Sequence, residues 1–426
     1  MRRLPFRRIG RVPPEAGWVA VLSVRRSGGG LSSLDVRDFR LLYIALFGTS
    51  VSYQLQRTIE LWLVYDLTGS PLLTGFTGLV RGLATLVFQL AGGVLADRID
   101  RRRFVILVQG VNALITLSLG TLALTGLIAV WHIYLAAFVN ATLTTAAGPA
   151  RTAMVPGLVP RELLVNAFAQ IASVRKLSQL VGPAVGGVLI GVAGSGWTYA
   201  VACLIYIVSV PIMVCMRYES GPLDREQSPV KSLLEGIAFI RRNSLIVVLL
   251  VTEFAAVFFG SYRALLPIFA VAMGLGPEGL GILLAAPALG SLPGVGAVMW
   301  LGNISYKGLF ISFSVIAYAG CLFGLAFSTW FLGSVAILFL VGVFDALQAV
   351  VRQVVIQART PDNLRGRAAS FQRILGVGAP SLGEAHSGAV AALIGAPWTL
   401  VVTAAVCIGI TAGLVIKRPD LRDRDL

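Results

Sequence analysis

"GGVLADRIDRRR", residues 92–103, separates two long apolar runs, and six of the seven residues from Asp97 to Arg103 are charged. A charge knot this dense inside a greasy chain has two physical readings. A membrane protein marks its cytoplasmic side with Arg and Lys. A soluble protein can build a phosphate site from similar residues. The rest of the chain decides. Its 426 residues are 56% hydrophobic and 13% charged, whereas soluble domains carry about 25% charged residues. Too few polar side chains remain to cover a soluble surface, and a bilayer suits this composition.

Outward from the knot, apolar segments run near 40–66, 71–96, 104–126, 130–150, 165–191, 197–216, 246–271, 278–300, 308–328, 330–357, 367–393 and 397–417. Only helices and closed barrels cross lipid, because the backbone finds no water there. These runs are too long and too continuously apolar for barrel strands. The expected fold is therefore an all-α membrane protein with twelve transmembrane helices.

The connections alternate in charge. "DRIDRRR" (97–103), "PARTAMVPGLVPRE" (149–162), residues 217–243, Lys307 and "ARTPDNLRGR" (358–367) are basic. The opposite connections, "DLTGSP", "TGLIAVWH", "VAGSGW", "GLGPEG", "STW" and "GAP", contain no Lys or Arg. By the positive-inside rule both termini are cytoplasmic, and the chain is a multi-pass protein of the cell inner (plasma) membrane. The formal charge of +15 lies largely along one membrane face. That argues for anionic lipid headgroups as its partner and against nucleic acid. Cys203, Cys215, Cys321 and Cys407 sit inside apolar runs without metal-ligand spacing, so no disulfide framework, metal or cofactor is expected.

The expected organisation is a disordered basic tail (1–36), a six-helix bundle (37–216), a midpoint loop with a surface amphipathic helix (217–245), a second six-helix bundle (246–418) and a short tail (419–426). A shift of 201 residues lays "VPRELLVNA" (159–167) on "TPDNLRGRA" (360–368), Gly182 and Gly187 on Gly383 and Gly388, and Gly93 on Gly294. Two pseudo-repeat bundles handling substrate between them is a transporter architecture. At this offset Asp97 lands on Val298 and Arg102 on Asn303, so the second half lacks the charge knot.

Two motifs carry chemistry. In the first, Gly93 allows close approach of a neighbouring backbone. Asp97 can face a helix N-terminus, a contact worth about 0.3–1 kcal/mol, while Arg98, Arg101 and Arg102 suit the cytoplasmic face. The competing reading is a plain topogenic loop. In the second, "GPAVGG", Pro183 can bend its helix, and Gly182, Gly186 and Gly187 give it a smooth packing face.

These residues resemble the major facilitator superfamily, and within it the bacterial branch that includes the enterobactin exporter and macrolide efflux proteins. "LWLVYDLTGSP" (61–71), "GGVLADRIDRRR", "PARTAMVPGLVPRELLVNA" (149–167), "LVGPAVGGVLIG" (180–191), "SLLEGIAFIRRN" (232–243), "ALLPIFA" (264–270) and "PDNLRGRAAS" (361–370) carry the likeness. It implies proton-coupled export by alternating access. It makes the knot similar to a cytoplasmic gating latch between the second and eleventh helices, and "GPAVGG" similar to an exporter signature. Tyr53 and Gln179 stand where the branch often has an acid and an arginine.

Ionisable residues inside a membrane are costly and so are functional candidates. Glu60, Asp345, Glu384 and His386 are the proton-coupling candidates. Gln56, Arg57, Arg81, Arg175, Lys176 and Arg352 are candidates for the cavity or for charge partners. Arg57 and Glu60, at i and i+3, can neutralise each other on one helix face, or Arg81 can compete for Glu60. Glu253 and Arg263 are too far apart to pair directly. Arg175 and Lys176 can bind an anionic substrate or pair across the bundle. The leading function is proton-coupled export of a small amphiphilic molecule, drug-like or siderophore-like, by a monomer. Export or flipping of a dedicated metabolite or lipid is the alternative, followed by a membrane sensor. An enzyme is disfavoured, with only two histidines in the chain.

Overall fold

The first apolar segment forms one long helix, α1 (Arg37–Thr68), closed by Gly69 in the left-handed region. Pro71 then opens α2 (Pro71–Ala96), in the first-turn position where a missing N–H costs nothing. Asp100 caps α3 (Arg101–Leu124) by accepting from the Arg103 N–H at 2.8 Å. The remaining helices are α4 (Val130–Met154), α5 (Leu164–Val214), α6 (Ser244–Phe258), α7 (Leu266–Ala272), α8 (Pro277–Leu301), α9 (Lys307–Ala326), α10 (Phe331–Arg359), α11 (Arg365–Ile394) and α12 (Ala396–Lys417). This computed structural model describes residues 32–96, 100–218, 243–302, 304–361 and 365–423; at 89–96, 365–371, 373–375 and 377 only the backbone is described.

Twelve crossings result among the described residues, by a compensating pair of departures. Helix α5 carries two crossings that meet at Gly194. The seventh crossing, expected to be continuous over 246–271, is broken into α6 and α7 by residues 259–265. Pro267 lacks the N–H that would hold the Arg263 carbonyl, and side chains satisfy the backbone freed nearby. Tyr318 donates its hydroxyl to the Gly260 carbonyl at 2.7 Å, and Ser387 donates to that of Ser261 at 2.6 Å. Among the described residues, eight stretches are long and apolar enough to cross a membrane by length and composition alone. The helices α1, α4 and α11 are not among them, and these more polar helices hold Arg57, Glu60, Asn140 and Glu384.

Each half has its own core. Phe39, Leu42, Val105, Met154 and Met213 pack in the first; Leu265, Leu283, Leu322, Leu338 and Leu400 pack in the second. Large apolar side chains such as Leu107, Leu114, Leu204, Phe313 and Leu340 remain exposed, as a lipid-facing belt requires. Of the expected tails, 1–31 and 424–426 lie outside the described residues. Ser32–Asp35 forms a 3-10 turn, tied down because Ser33 donates its hydroxyl to Asn166 at 2.7 Å. Leu421 is buried, its backbone against the bare face of Gly308. The expected amphipathic midpoint helix lies outside the described residues.

The halves meet along two seams, and glycine makes both. A Cβ on Gly75 (α2) would lie 2.8 Å from the Gly388 Cα (α11); a Cβ on Gly187 (α5) would lie 2.8 Å from the Gly281 Cα (α8). Such backbone-to-backbone contact is how helices associate where the hydrophobic effect gives no drive. The two crossings are related by the repeat: Gly187 corresponds to Gly388, 201 residues on, but Gly75 corresponds to Gly281, 206 on. The constant offset therefore needs correction. It holds from α4 onward, while Pro71 and Pro277, which open α2 and α8, are 206 apart. Helix α9 is shorter than α3, 20 residues against 24, which accounts for most of the slip. Gly294 is thus not the counterpart of Gly93, and Arg101 corresponds to Lys307.

Gly194 and Gly395, again 201 apart, turn the chain between crossings five and six and between eleven and twelve, with φ 82° and 80° and ψ 167° and 157°. This region is open essentially to glycine alone. Gly194→Ala and Gly395→Ala are each expected to cost about 1–3 kcal/mol, seen as a lower midpoint of thermal unfolding in detergent. An unchanged midpoint would mean that these turns relax freely.

Candidate functional site

Both seams close toward the face whose connections (Gly69–Ser70, 125–129, 273–276, 327–330 and Gly395) lack Lys and Arg. Beneath them the ionisable side chains gather. The Arg57 guanidinium (α1) donates to Glu384 Oε1 (α11), and this ion pair joins the two halves. Glu384 is only 2% exposed. It fits because α2 offers Gly78: a Cβ there would fall 2.5 Å from the Glu384 Cβ. Sequence reasoning passed over Gly78, since only the opposing helix reveals the need for a bare backbone.

Of the two readings open for Glu60, the i, i+3 bridge to Arg57 is absent among the described residues and Arg81 takes the carboxylate. Arg81 reaches across from α2 instead, with its Nε 3.0 Å from Glu60 Oε2 and an Nη on the same oxygen. Its other Nη donates to the Tyr53 hydroxyl at 3.0 Å, and its guanidinium lies 5.2 Å from that ring centroid. Arginine side chains are long enough to choose partners on neighbouring helices. Both of these take interhelical carboxylates, which lets one charged group tie two elements together.

The second half repeats the theme. Arg352 (α10) pairs with Glu253 (α6) at 3.0 Å and donates to Gln348 Oε1 at 2.5 Å. Gln348 donates in turn to Asp345 Oδ1 at 3.1 Å. A chain of contacts thus links Asp345, Gln348, Arg352 and Glu253. Arg151 stands 201 residues before Arg352 and has no salt bridge among the described residues.

Gln56 turns away from the seam. It is fully buried within the first half, donates to Thr116 Oγ1 at 2.7 Å and accepts from Asn140 at 3.0 Å and the Tyr206 hydroxyl at 3.3 Å. It is bundle glue. His386 sits in an aromatic nest, with ring centroids 4.9 Å from Phe258 and 5.6 Å from Phe259. Arg175 and Lys176 are exposed on α5 without a salt bridge among the described residues. Lys176 lies in electrostatic range of Asp345 and Arg263.

Between the halves lies a small cavity lined by Gln54, Arg57, Thr58, Leu61, Gln179, Pro183, Arg263 and Leu284. The break between α6 and α7 delivers Arg263 to it. Pro183 and the glycines of "GPAVGG" act on both neighbours: Gly182 and Gly186 admit Gln54 and Leu55 of α1, and Gly187 makes the α8 crossing.

Of the expected latch, Asp97 and Arg98 lie outside the described residues, as do the surroundings of Gly93. Arg101 and Arg102 cap the end of α5 in their own half. Arg102 Nε donates to the Met213 carbonyl at 3.0 Å and an Nη donates to that of Val214, while Arg101 reaches the Tyr218 hydroxyl at 3.4 Å. Cations are favoured at a helix C-terminus.

The chain matches the family model described as "Transmembrane secretion effector" over residues 28–426. It is 28% identical over 381 residues to the enterobactin exporter EntS of Shigella boydii serotype 4, covering 88% of this chain and 89% of that protein. The EntS of Citrobacter koseri matches with the same identity and coverage. Among solved structures, the fold resembles a bacterial homolog of the human lysosomal transporter Spinster (TM-score 0.70, 13% identity, 91% of this chain and 98% of that one). It also resembles the nucleoside transporter NupG (TM-score 0.71, 14% identity, 89% and 98%). Twelve crossings, two pseudo-repeat halves meeting on glycine, and a family match across nearly the whole chain have one reading: the protein belongs to the transmembrane secretion effector family of major facilitator transporters.

Proposed function

We propose that the protein exports a small amphiphilic molecule by alternating access and couples its movement to proton entry. The observation that carries this reading is the Arg57–Glu384 pair. It joins the halves, its carboxylate is buried, and its strength depends on the charge of Glu384. A proton on that carboxylate weakens the tie and leaves Arg57 free for cargo, so proton and cargo compete for one arginine. Glu60 with Arg81, and Asp345 with its Gln348–Arg352–Glu253 chain, are the other acids in the coupling. His386 lines the aromatic side of the route.

Lys and Arg mark the cytoplasmic face of the inner membrane, so both termini are cytoplasmic and the glycine seams close the outer side. Gly93, Asp97 and Arg98 belong to the gate on the inner side, with Arg101 and Arg102 anchoring it to α5. Both seams are internal to one chain, which supports a monomer surrounded by lipid. Relatives that carry the name enterobactin exporter make enterobactin the first cargo to try.

Purified protein in proteoliposomes is offered enterobactin, 2-naphthoate and ethidium under an imposed pH gradient. At least one is expected to accumulate against its own gradient. Glu384→Gln is expected to retain exchange of that cargo while losing gradient-driven accumulation. Gradient-driven transport at full rate by Glu384→Gln, Glu60→Gln and Asp345→Asn would overturn the assignment, and movement of none of the three cargoes would overturn the export reading itself.

A further inference from the structure

We infer that the cargo carries an anionic group, gripped between two guanidinium groups that opposite halves present to one cavity. The inference rests on the transport reading and names its substrate class. Arg57 comes from α1 in the first half and Arg263 from the 3-10 turn between α6 and α7 in the second; both line the same cavity. Glu384 pairs with Arg57 and lies within electrostatic range of Arg263, which hydrogen-bonds the Tyr262 side chain.

Positive charge continues along α5. Lys176, Gln179 and Pro183 fall at i, i+3 and i+7, one helix face, and Gln179 and Pro183 line the cavity. Lys176 on that face is exposed and faces Asp345 and Arg263 electrostatically. Arg57 and Arg263 are the cations that line the cavity, and among the described residues the salt bridge on them is that of Arg57 with Glu384. A guanidinium taken from water is costly unless negative charge accompanies it, and a ligand can bring that charge to Arg263. The planar guanidinium fork matches a carboxylate with two parallel hydrogen bonds.

A basic drug would meet the opposite arrangement, with its charge between two arginines.

The experiment is equilibrium binding to the full-length protein in nanodiscs, without a proton gradient, using three matched probes. These are 2-naphthoate, neutral 2-naphthamide and cationic 2-naphthylmethylammonium, each corrected for binding to empty nanodiscs. Naphthoate is expected to bind about tenfold or more tighter than either analogue, as loss of a charge-assisted bond implies. Arg263→Gln and Lys176→Gln are expected to shrink that preference, and Arg263→Lys to retain only the part that charge alone supplies. Equal binding of the three, a preference for the cation, or no detectable naphthoate binding overturns the inference. The wild-type ranking alone decides this, so a variant that fails to fold does not weaken the test. Gradient-driven movement of ethidium alongside a cation preference would leave the export reading standing and remove only this one.

Discussion

Arg81→Met is expected to destabilise the protein by about 3–5 kcal/mol, the cost of leaving a buried charge without its partner. Glu60 is 1% exposed and its one salt bridge among the described residues is to Arg81: both Arg81 contacts fall on Oε2, and Oε1 has no hydrogen-bond partner among the described residues. Neutralising both members should recover most of the loss, because it is the stranded carboxylate that is costly and not the absence of the pair. Arg81→Met with Glu60→Gln is therefore expected to melt well above Arg81→Met alone. Chemical unfolding in detergent gives the four corners of the cycle. An Arg81→Met protein within about 0.5 kcal/mol of wild type, the range of an ordinary surface change, would show that Glu60 finds water or another partner, and that its ion pair does not organise the first half.

The second large effect is expected at the glycine seams. A side chain on Gly388 would put its Cβ 2.6 Å from the Pro71 carbonyl oxygen and 2.7 Å from the Gly75 Cα; on Gly187 it would fall 2.5 Å from the Pro277 carbonyl oxygen. These neighbours are backbone and cannot swing aside. Gly388→Leu and Gly187→Leu are expected to oppose closure of the outer side by about 1–3 kcal/mol each, as overpacking does. That shifts the open-to-closed ratio by about 5- to 150-fold. The readout is labelling of Leu284→Cys, placed in the cavity, by an impermeant maleimide from the Lys/Arg-free side in a background without the four native cysteines. Faster labelling and lost transport are expected. Labelling and transport at wild-type rates would mean that the halves do not need this contact.

The architecture was legible because its physics is one-dimensional. A bilayer demands long apolar runs, and the basic connections alternate without exception, so twelve crossings could be counted from the chain. The pseudo-repeat was half legible. Gly182, Gly187 and Gly194 recur 201 residues on, whereas the α2–α3 and α8–α9 pairs slip to 206 because α9 is shorter. That slip dissolved the match of Gly93 with Gly294.

The site was less legible because its contacts span the fold. Arg57 and Glu384 are 327 residues apart, and nothing local ties them. Spacing left Glu60 open to Arg57 or Arg81, and Arg81 occupies that carboxylate. Burial cost marked Glu60, Asp345 and Glu384 as proton-coupling candidates and Arg57, Arg81 and Arg352 as cavity or charge-partner candidates, without saying which side chain each one meets. Gly78 and Gly75 carried no flag among 47 glycines. The break before α7 had a signal in Pro267 four residues after Arg263, within a run that otherwise reads as continuous helix.

The claim that cargo and protons share one route is tested most directly by cargo-driven proton movement. Proteoliposomes holding the wild-type protein and an internal pH dye receive an outwardly directed enterobactin gradient, with the pH equal on both sides. The account predicts that the lumen acidifies as the cargo leaves, and that Glu384→Gln abolishes the acidification while cargo still exits. Cargo efflux at the wild-type rate with no change in luminal pH would contradict it.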